Sequence, residues 1–181
     1  MFNTIVALGN IGVMVGLVIL LFGILTKPAR PRDGSGAGGQ AYVRDIRNST
    51  HYLLTIIFAL AVTISMIYSN YLDYAPCVLC WYQRIAIFGI LFLSFVGDIT
   101  KNITIRKAIR TFAWLGLIPA VVHTFMDYFP QFNIDVCGVD GISCSARYVY
   151  EFGFVTVPLM SLVTLISALV LTYIAGRYPQ E

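Results

Sequence analysis

The chain has 181 residues, of which 58% are hydrophobic and only 12% charged, with a formal net charge of +3. A soluble domain averages about 25% charged residues, so half that share on so apolar a chain excludes both a water-soluble globule and a disordered segment. Five membrane spans of about 20 residues each would leave about 80 positions for loops and tails, too few for a separate soluble domain.

Uncharged stretches mark the elements in order: Thr4–Leu25, Tyr52–Leu72, Trp81–Gly97 (interrupted by Arg84), Thr111–Phe129 (interrupted by Asp127) and Phe152–Gly176. Helices satisfy their own backbone in lipid. The expected fold is therefore an all-α integral membrane protein, a four-helix transmembrane bundle with one extra N-terminal transmembrane helix. The first span lacks the positive n-region of a secretory signal and has its charges after the apolar core, which reads as an uncleaved anchor. After it, Asp33-Gly-Ser-Gly-Ala-Gly-Gly-Gln40 has the composition of a flexible linker. The expected organisation is an N-terminal helix over 1–26, a basic and Gly-rich linker over 27–50, the bundle over 51–176 and a tail over 177–181.

Ten of the twelve basic residues fall in three segments that alternation of five spans puts on one side: Lys27 to Arg47, Lys101 to Arg110, and Arg177. That side should be cytoplasmic. Asp73–Cys80 and Pro130–Glu151 then face outward. The positive charge is a topology signal compatible with contact to anionic lipid, and it gives no nucleic-acid patch.

All four cysteines, at 77, 80, 137 and 144, lie in the two outward segments, where disulfides persist. The first pair reads Tyr74-Ala-Pro-Cys-Val-Leu-Cys-Trp-Tyr-Gln-Arg84. Pro76 suits a helix opening, which puts both sulfurs in a first turn where free N–H groups favour thiolate. A two-residue gap closes almost no loop, so it makes a poor staple. Arg84, four residues on, shares the face of Cys80 about 6 Å deeper. It reads either as a snorkelling anchor or as a cation for a nearby anion, the Cys80 thiolate or a reduced quinone. Cys137 and Cys144 close a short loop worth about 2.5 kcal/mol as a staple, and as an exposed disulfide they are open to a partner thiolate. Their spacing is wrong for a zinc knuckle, and no metal is expected. His123, within the fourth span, reads as a packing residue or as an ionisable actor. Ten aromatic residues near the outward end fit an interfacial belt or a crevice for a flat ring.

These motifs carry a likeness. Pro76-Cys-Val-Leu-Cys-Trp-Tyr-Gln-Arg84 before an apolar helix resembles the DsbB/BdbC family of membrane thiol–quinone oxidoreductases. So do His123-Thr-Phe-Met-Asp-Tyr-Phe-Pro130 leading to Cys137, and Cys144-Ser-Ala-Arg-Tyr running into Phe152-Gly-Phe-Val-Thr-Val-Pro158. The likeness covers residues 52–176 and is closer to the BdbC branch, because the second pair has six intervening residues. It implies a bundle that reoxidises an extracytoplasmic DsbA/BdbD-like thioredoxin-fold dithiol oxidase and passes electrons to the respiratory quinone pool (ubiquinone or menaquinone) in a bacterial inner membrane. It further implies that the partner attacks Cys137 of a Cys137–Cys144 disulfide, that Cys77–Cys80 reoxidises that pair, and that Cys80 hands electrons to a quinone held by Arg84 with help from His123. Gln83 stands where some members have glutamate, and the Thr4–Leu25 helix is extra to the four-helix pattern. Two other readings remain. A vitamin K epoxide reductase-like protein usually has its CxxC after the shuttle pair, the reverse of the order here. A non-enzymatic assembly protein with two inert disulfides would resist mild reductant.

Overall fold

A computed structural model describes residues 1–26, 37–100, 103–132 and 148–177. It contains α1 (Phe2–Thr26), α2 (Ala37–Asn70), α3 (Val78–Thr100), α4 (Ile103–Tyr128), a 3-10 turn at Pro130–Phe132, and α5 (Val157–Arg177). Among the described residues the only β pairing is an isolated bridge between Glu151 and Val155. The chain is an all-α membrane protein with a helix at each expected span. Among the described residues three stretches are long and apolar enough to cross a bilayer: Thr50–Asn70, Val78–Gly97 and Thr104–Tyr128. In α1 and α5 the described apolar stretches are shorter, Phe2–Gly16 and Val157–Tyr173.

Helix ends depart from the hydropathy limits where backbone chemistry outranks polarity. Residues 37–50, read as linker, are helical. From Gln40 to Thr50 no glycine or proline interrupts the chain, so the α2 hydrogen-bond ladder continues past its apolar part. The rest of that linker, 27–36, lies outside the described residues. Likewise α5 starts at Val157 rather than Phe152, because Phe152 (φ 55°) and Gly153 (φ 77°) turn left-handed and Glu151 exchanges backbone hydrogen bonds with Val155. A left-handed phenylalanine is costly, and the following glycine takes the second such position without penalty.

The core is built by α2, α3, α4 and α5 around Leu54, Phe58, Ile90, Ile109 and Leu165, all fully buried. Lipid tails are as apolar as leucine, so close packing has to hold membrane helices together. Small residues supply it. A Cβ on Gly116 of α4 would stand 2.5 Å from the Ala86 Cβ of α3 and 3.1 Å from Leu165 of α5. Phe92, Phe95, Trp114 and Ile118 remain exposed, as a lipid-facing surface requires. At the end away from Cys77, Arg106 Nη1 donates to the Ala175 carbonyl (2.8 Å) and Arg110 Nη2 to that of Thr172 (3.2 Å). Cations there complement the negative end of the α5 dipole.

Candidate thiol site and its cavity

The first cysteine pair opens α3. The helix begins at Val78, not at Pro76, and Trp81 N–H donates to the Cys77 carbonyl at 3.1 Å. Cys77 is therefore the N-cap, and its Sγ accepts the Cys80 backbone N–H at 3.4 Å. That is the bond a capping serine or aspartate oxygen normally makes. Cys77 and Cys80 Sγ stand 3.2 Å apart as two thiols. The two sulfurs share one hydrogen bond. That hydrogen bond holds the Cys77 thiol well below its ordinary range; burial opposes the shift and contact with His123 adds to it.

His123 on α4 reaches both sulfurs, with Nε2 3.7 Å from Cys77 and Nδ1 4.0 Å from Cys80. It is buried. Gln83 on α3 fixes its ring. Gln83 Nε2 faces the Pro119 carbonyl at 3.3 Å and His123 Nδ1 at 3.1 Å, while Ser161 of α5 donates to Gln83 Oε1. A carbonyl only accepts, so the amide nitrogen must be the atom facing Pro119. Its second hydrogen then meets Nδ1 as an acceptor, which assigns the ring proton to Nε2, toward Cys77. Gln83 and Ser161 were not singled out as site residues by the sequence reading; only the glutamine-for-glutamate difference pointed there.

Arg84 is on the expected face, half-buried, but bridges to α2. Its Nε donates to Ser65 Oγ at 2.9 Å, and its Nη2 to the Ser65 carbonyl at 3.0 Å and to Ser69 Oγ. Its guanidinium also lies 5.4 Å from the Trp81 ring. Thus the side chain within reach of both sulfurs is His123, with Arg84 placed one turn deeper. Cys137 and Cys144 lie outside the described residues.

These groups share a cavity of about 460 Å³, lined by Cys77, Cys80, Gln83, Arg84, His123 and otherwise mainly apolar side chains of α1, α2 and α5. The aromatic concentration divides. Tyr68, Tyr74 and Tyr148 stack in sequence, with centroids 5.6 and 4.9 Å apart, and Phe2 of α1 meets Tyr68 edge-on. Tyr71, Trp81, Tyr82 and Phe152 are exposed as a belt would be. Cys77, Cys80 and His123 also bring three donor atoms within 4.8 Å of one another, a set suited to a thiophilic metal ion.

The profile described as "Disulfide bond formation protein DsbB" matches residues 47–158. The chain is 34% identical over 114 residues to "Probable disulfide formation protein C 2" of Bacillus anthracis, covering 63% of this chain and 81% of the relative. It is 30% identical over 133 residues to "Probable disulfide formation protein" of Chlamydia pneumoniae, covering 74% and 96%. "Disulfide bond formation protein C" of Bacillus subtilis is 28% identical over 116 residues, covering 64% and 83%. No solved structure is significantly similar. With its helical membrane fold and a cysteine pair opening α3, the chain belongs to the DsbB family of disulfide bond formation proteins, membrane oxidoreductases that generate disulfides.

Proposed function

We propose that this protein reoxidises an extracytoplasmic thioredoxin-fold dithiol and passes the electrons to a membrane quinone, with the α3 start at the outer side of a bacterial inner membrane. The observation that carries the reading is the Cys77–Cys80–His123 cluster set into the wall of a mainly apolar cavity.

A partner thiolate attacks Cys137 of the Cys137–Cys144 disulfide and releases Cys144. The partner's second thiol then displaces Cys137, so the partner leaves oxidised and the loop pair holds two electrons and two protons. The loop dithiol reduces a Cys77–Cys80 disulfide by the same exchange, through a mixed disulfide. Cys77, capped and beside His123, is the sulfur best able to carry negative charge. Cys80 faces the electron exit with Arg84 one turn deeper. When bound, a quinone would supply the sink for the two electrons and two protons.

The cavity fits such a group. Its walls are mainly apolar, Arg84 offers a cation, and the buried Tyr68 hydroxyl and Thr156 Oγ1 have no hydrogen-bond partner among the described residues. In lipid nanodiscs, the purified protein should oxidise a reduced thioredoxin-fold donor only when quinone is supplied. Cys77→Ser and Cys80→Ser should each abolish turnover. Full quinone-dependent turnover by Cys80→Ser would overturn the electron route.

A further inference from the structure

The helix that the family pattern does not account for forms part of the cavity wall. α1 precedes the matched residues 47–158, yet Phe2, Val6, Asn10 and Val13 all line the space that holds Cys80 and Arg84. One of them is polar. Asn10 Nδ2 donates to the Met160 carbonyl of α5 at 3.5 Å, which fixes the amide so that Oδ1 is the free end. That oxygen is buried and has no partner among the described residues.

Two hydroxyls on the same wall are in the same condition. Tyr68 is 4% exposed and Thr156 1% exposed, and neither hydroxyl has a partner among the described residues. They belong to one neighbourhood. Met160 N–H donates to the Thr156 carbonyl at 3.0 Å, Asn10 bonds the Met160 carbonyl, and Tyr68 packs in one cluster with Val155 and Met160. Each unsatisfied buried polar group costs about 1–3 kcal/mol. All three belong to residues that line one cavity, and each is covered in this state, so a small turn of the side chain is needed for polar atoms from outside the chain to satisfy it.

Their chemistry narrows the visitor. Asn10 Oδ1 can only accept, so it demands a hydroxyl or N–H donor; the Tyr68 and Thr156 hydroxyls can donate to a carbonyl or accept. A quinone offers carbonyl oxygens alone, and its two-electron reduced form offers hydroxyls. We propose that α1 completes the carrier site of this protein, with Asn10 Oδ1 accepting a hydrogen bond from a hydroxyl of the reduced carrier and Tyr68 and Thr156 serving either redox form. The inference rests on the proposed quinone-linked function. It assigns α1 a role in discriminating the two redox forms, so the site holds its product more tightly than an apolar wall would.

The test measures binding to the full chain in nanodiscs, by equilibrium dialysis of a short-chain quinone and separately of its hydroquinone under anaerobic conditions. Asn10→Leu should weaken hydroquinone binding about 5–10-fold, the worth of one hydrogen bond, and change quinone binding less than twofold. Tyr68→Phe, which removes a hydroxyl and almost no volume, should weaken both forms several-fold. An azido-quinone photolabel should mark a peptide from residues 1–26 in the wild type. If wild type binds and uses quinone but Asn10→Leu binds both forms as wild type does, or loses both equally, the α1 contact is overturned while the function stands. The same holds if Tyr68→Phe is unchanged for both forms or the photolabel spares α1. If wild type binds neither form and turns over without either, the functional reading falls and this inference with it.

Discussion

Gln83 Nε2 stands 3.1 Å from His123 Nδ1, and the other hydrogen of the same amide goes to the Pro119 carbonyl at 3.3 Å. One glutamine thereby ties α3 to α4 and decides which imidazole nitrogen faces Cys77. Removing it should release the ring. In Gln83→Leu, the pH at which iodoacetamide labelling of Cys77 reaches half its maximum should rise by about 0.7, the worth of one hydrogen bond. His123→Phe should raise it at least as far. Residue-resolved mass spectrometry of the reduced protein reads both; a wild-type midpoint in Gln83→Leu would show that the ring is set by something else.

The lowered pKa of Cys77 has a sign that can be checked. An ordinary thiol near pKa 8.5 gains about tenfold in thiolate for each pH unit up to that value. Cys77 lies well below, so its labelling rate should be nearly flat from pH 6.5 to 8. Linkage gives a companion result. A group whose folded value is lowered stabilises the fold fully above its unfolded value, and the benefit is lost as pH falls through the folded one. Reduced protein should therefore lose stability on acidification relative to Cys77→Ser, measured as the shift in Tm across that range.

Arg84 is held by two serines of α2, so its cation is pre-positioned toward the cavity. Arg84→Ala should raise the KM for quinone about tenfold while leaving the thiol exchange of Cys77 close to wild type. Arg84→Lys should not restore it, because a lysine cannot reproduce the forked contacts to Ser65 and Ser69. Steady-state kinetics with varied quinone, beside single-turnover thiol exchange, separates the two effects.

How much was readable in advance depended on range. The proline, the two cysteines and Arg84 sit within nine consecutive residues, and helical spacing alone put them at one helix start. The exact start was not visible, since spacing does not reveal that a sulfur can act as cap. His123 is 46 positions from Cys77, and no periodicity links residues on different helices. The same limit hid the Gln83–Ser161 contact, which joins α3 to α5. The place of α1 was hidden for another reason: it carries no charge along its length, and hydropathy does not say which face meets protein.

Gly116 gives a prediction about packing. Any side chain there meets Ala86 at 2.5 Å, so Gly116→Leu must push α3 and α4 apart. The expected cost is about 1–3 kcal/mol, seen as a lower midpoint in detergent unfolding. Gly12→Ala is the control, because nothing lies within 4 Å of a Cβ there.

The two sulfurs and His123 should also capture a soft ion when reduced. Micromolar zinc should inhibit the reduced protein and protect Cys77 and Cys80 from alkylation. His123→Phe should weaken that protection at least tenfold, in line with losing one of three ligands. Protection unchanged in His123→Phe would place the ion elsewhere.

In the proposed relay Cys77 is at once an electron carrier and the cap of α3, so oxidation draws on the backbone as well as on the sulfur. A sulfur bonded to Cys80 has given up the negative charge that made it a strong partner for the amide behind it, and a helix cap is worth about 1 kcal/mol. The opening turn of α3 is thus firmest when loaded with electrons and loosest just after they leave. Turnover carries a small mechanical rhythm, and the loosened phase coincides with the moment the disulfide must admit its next thiol.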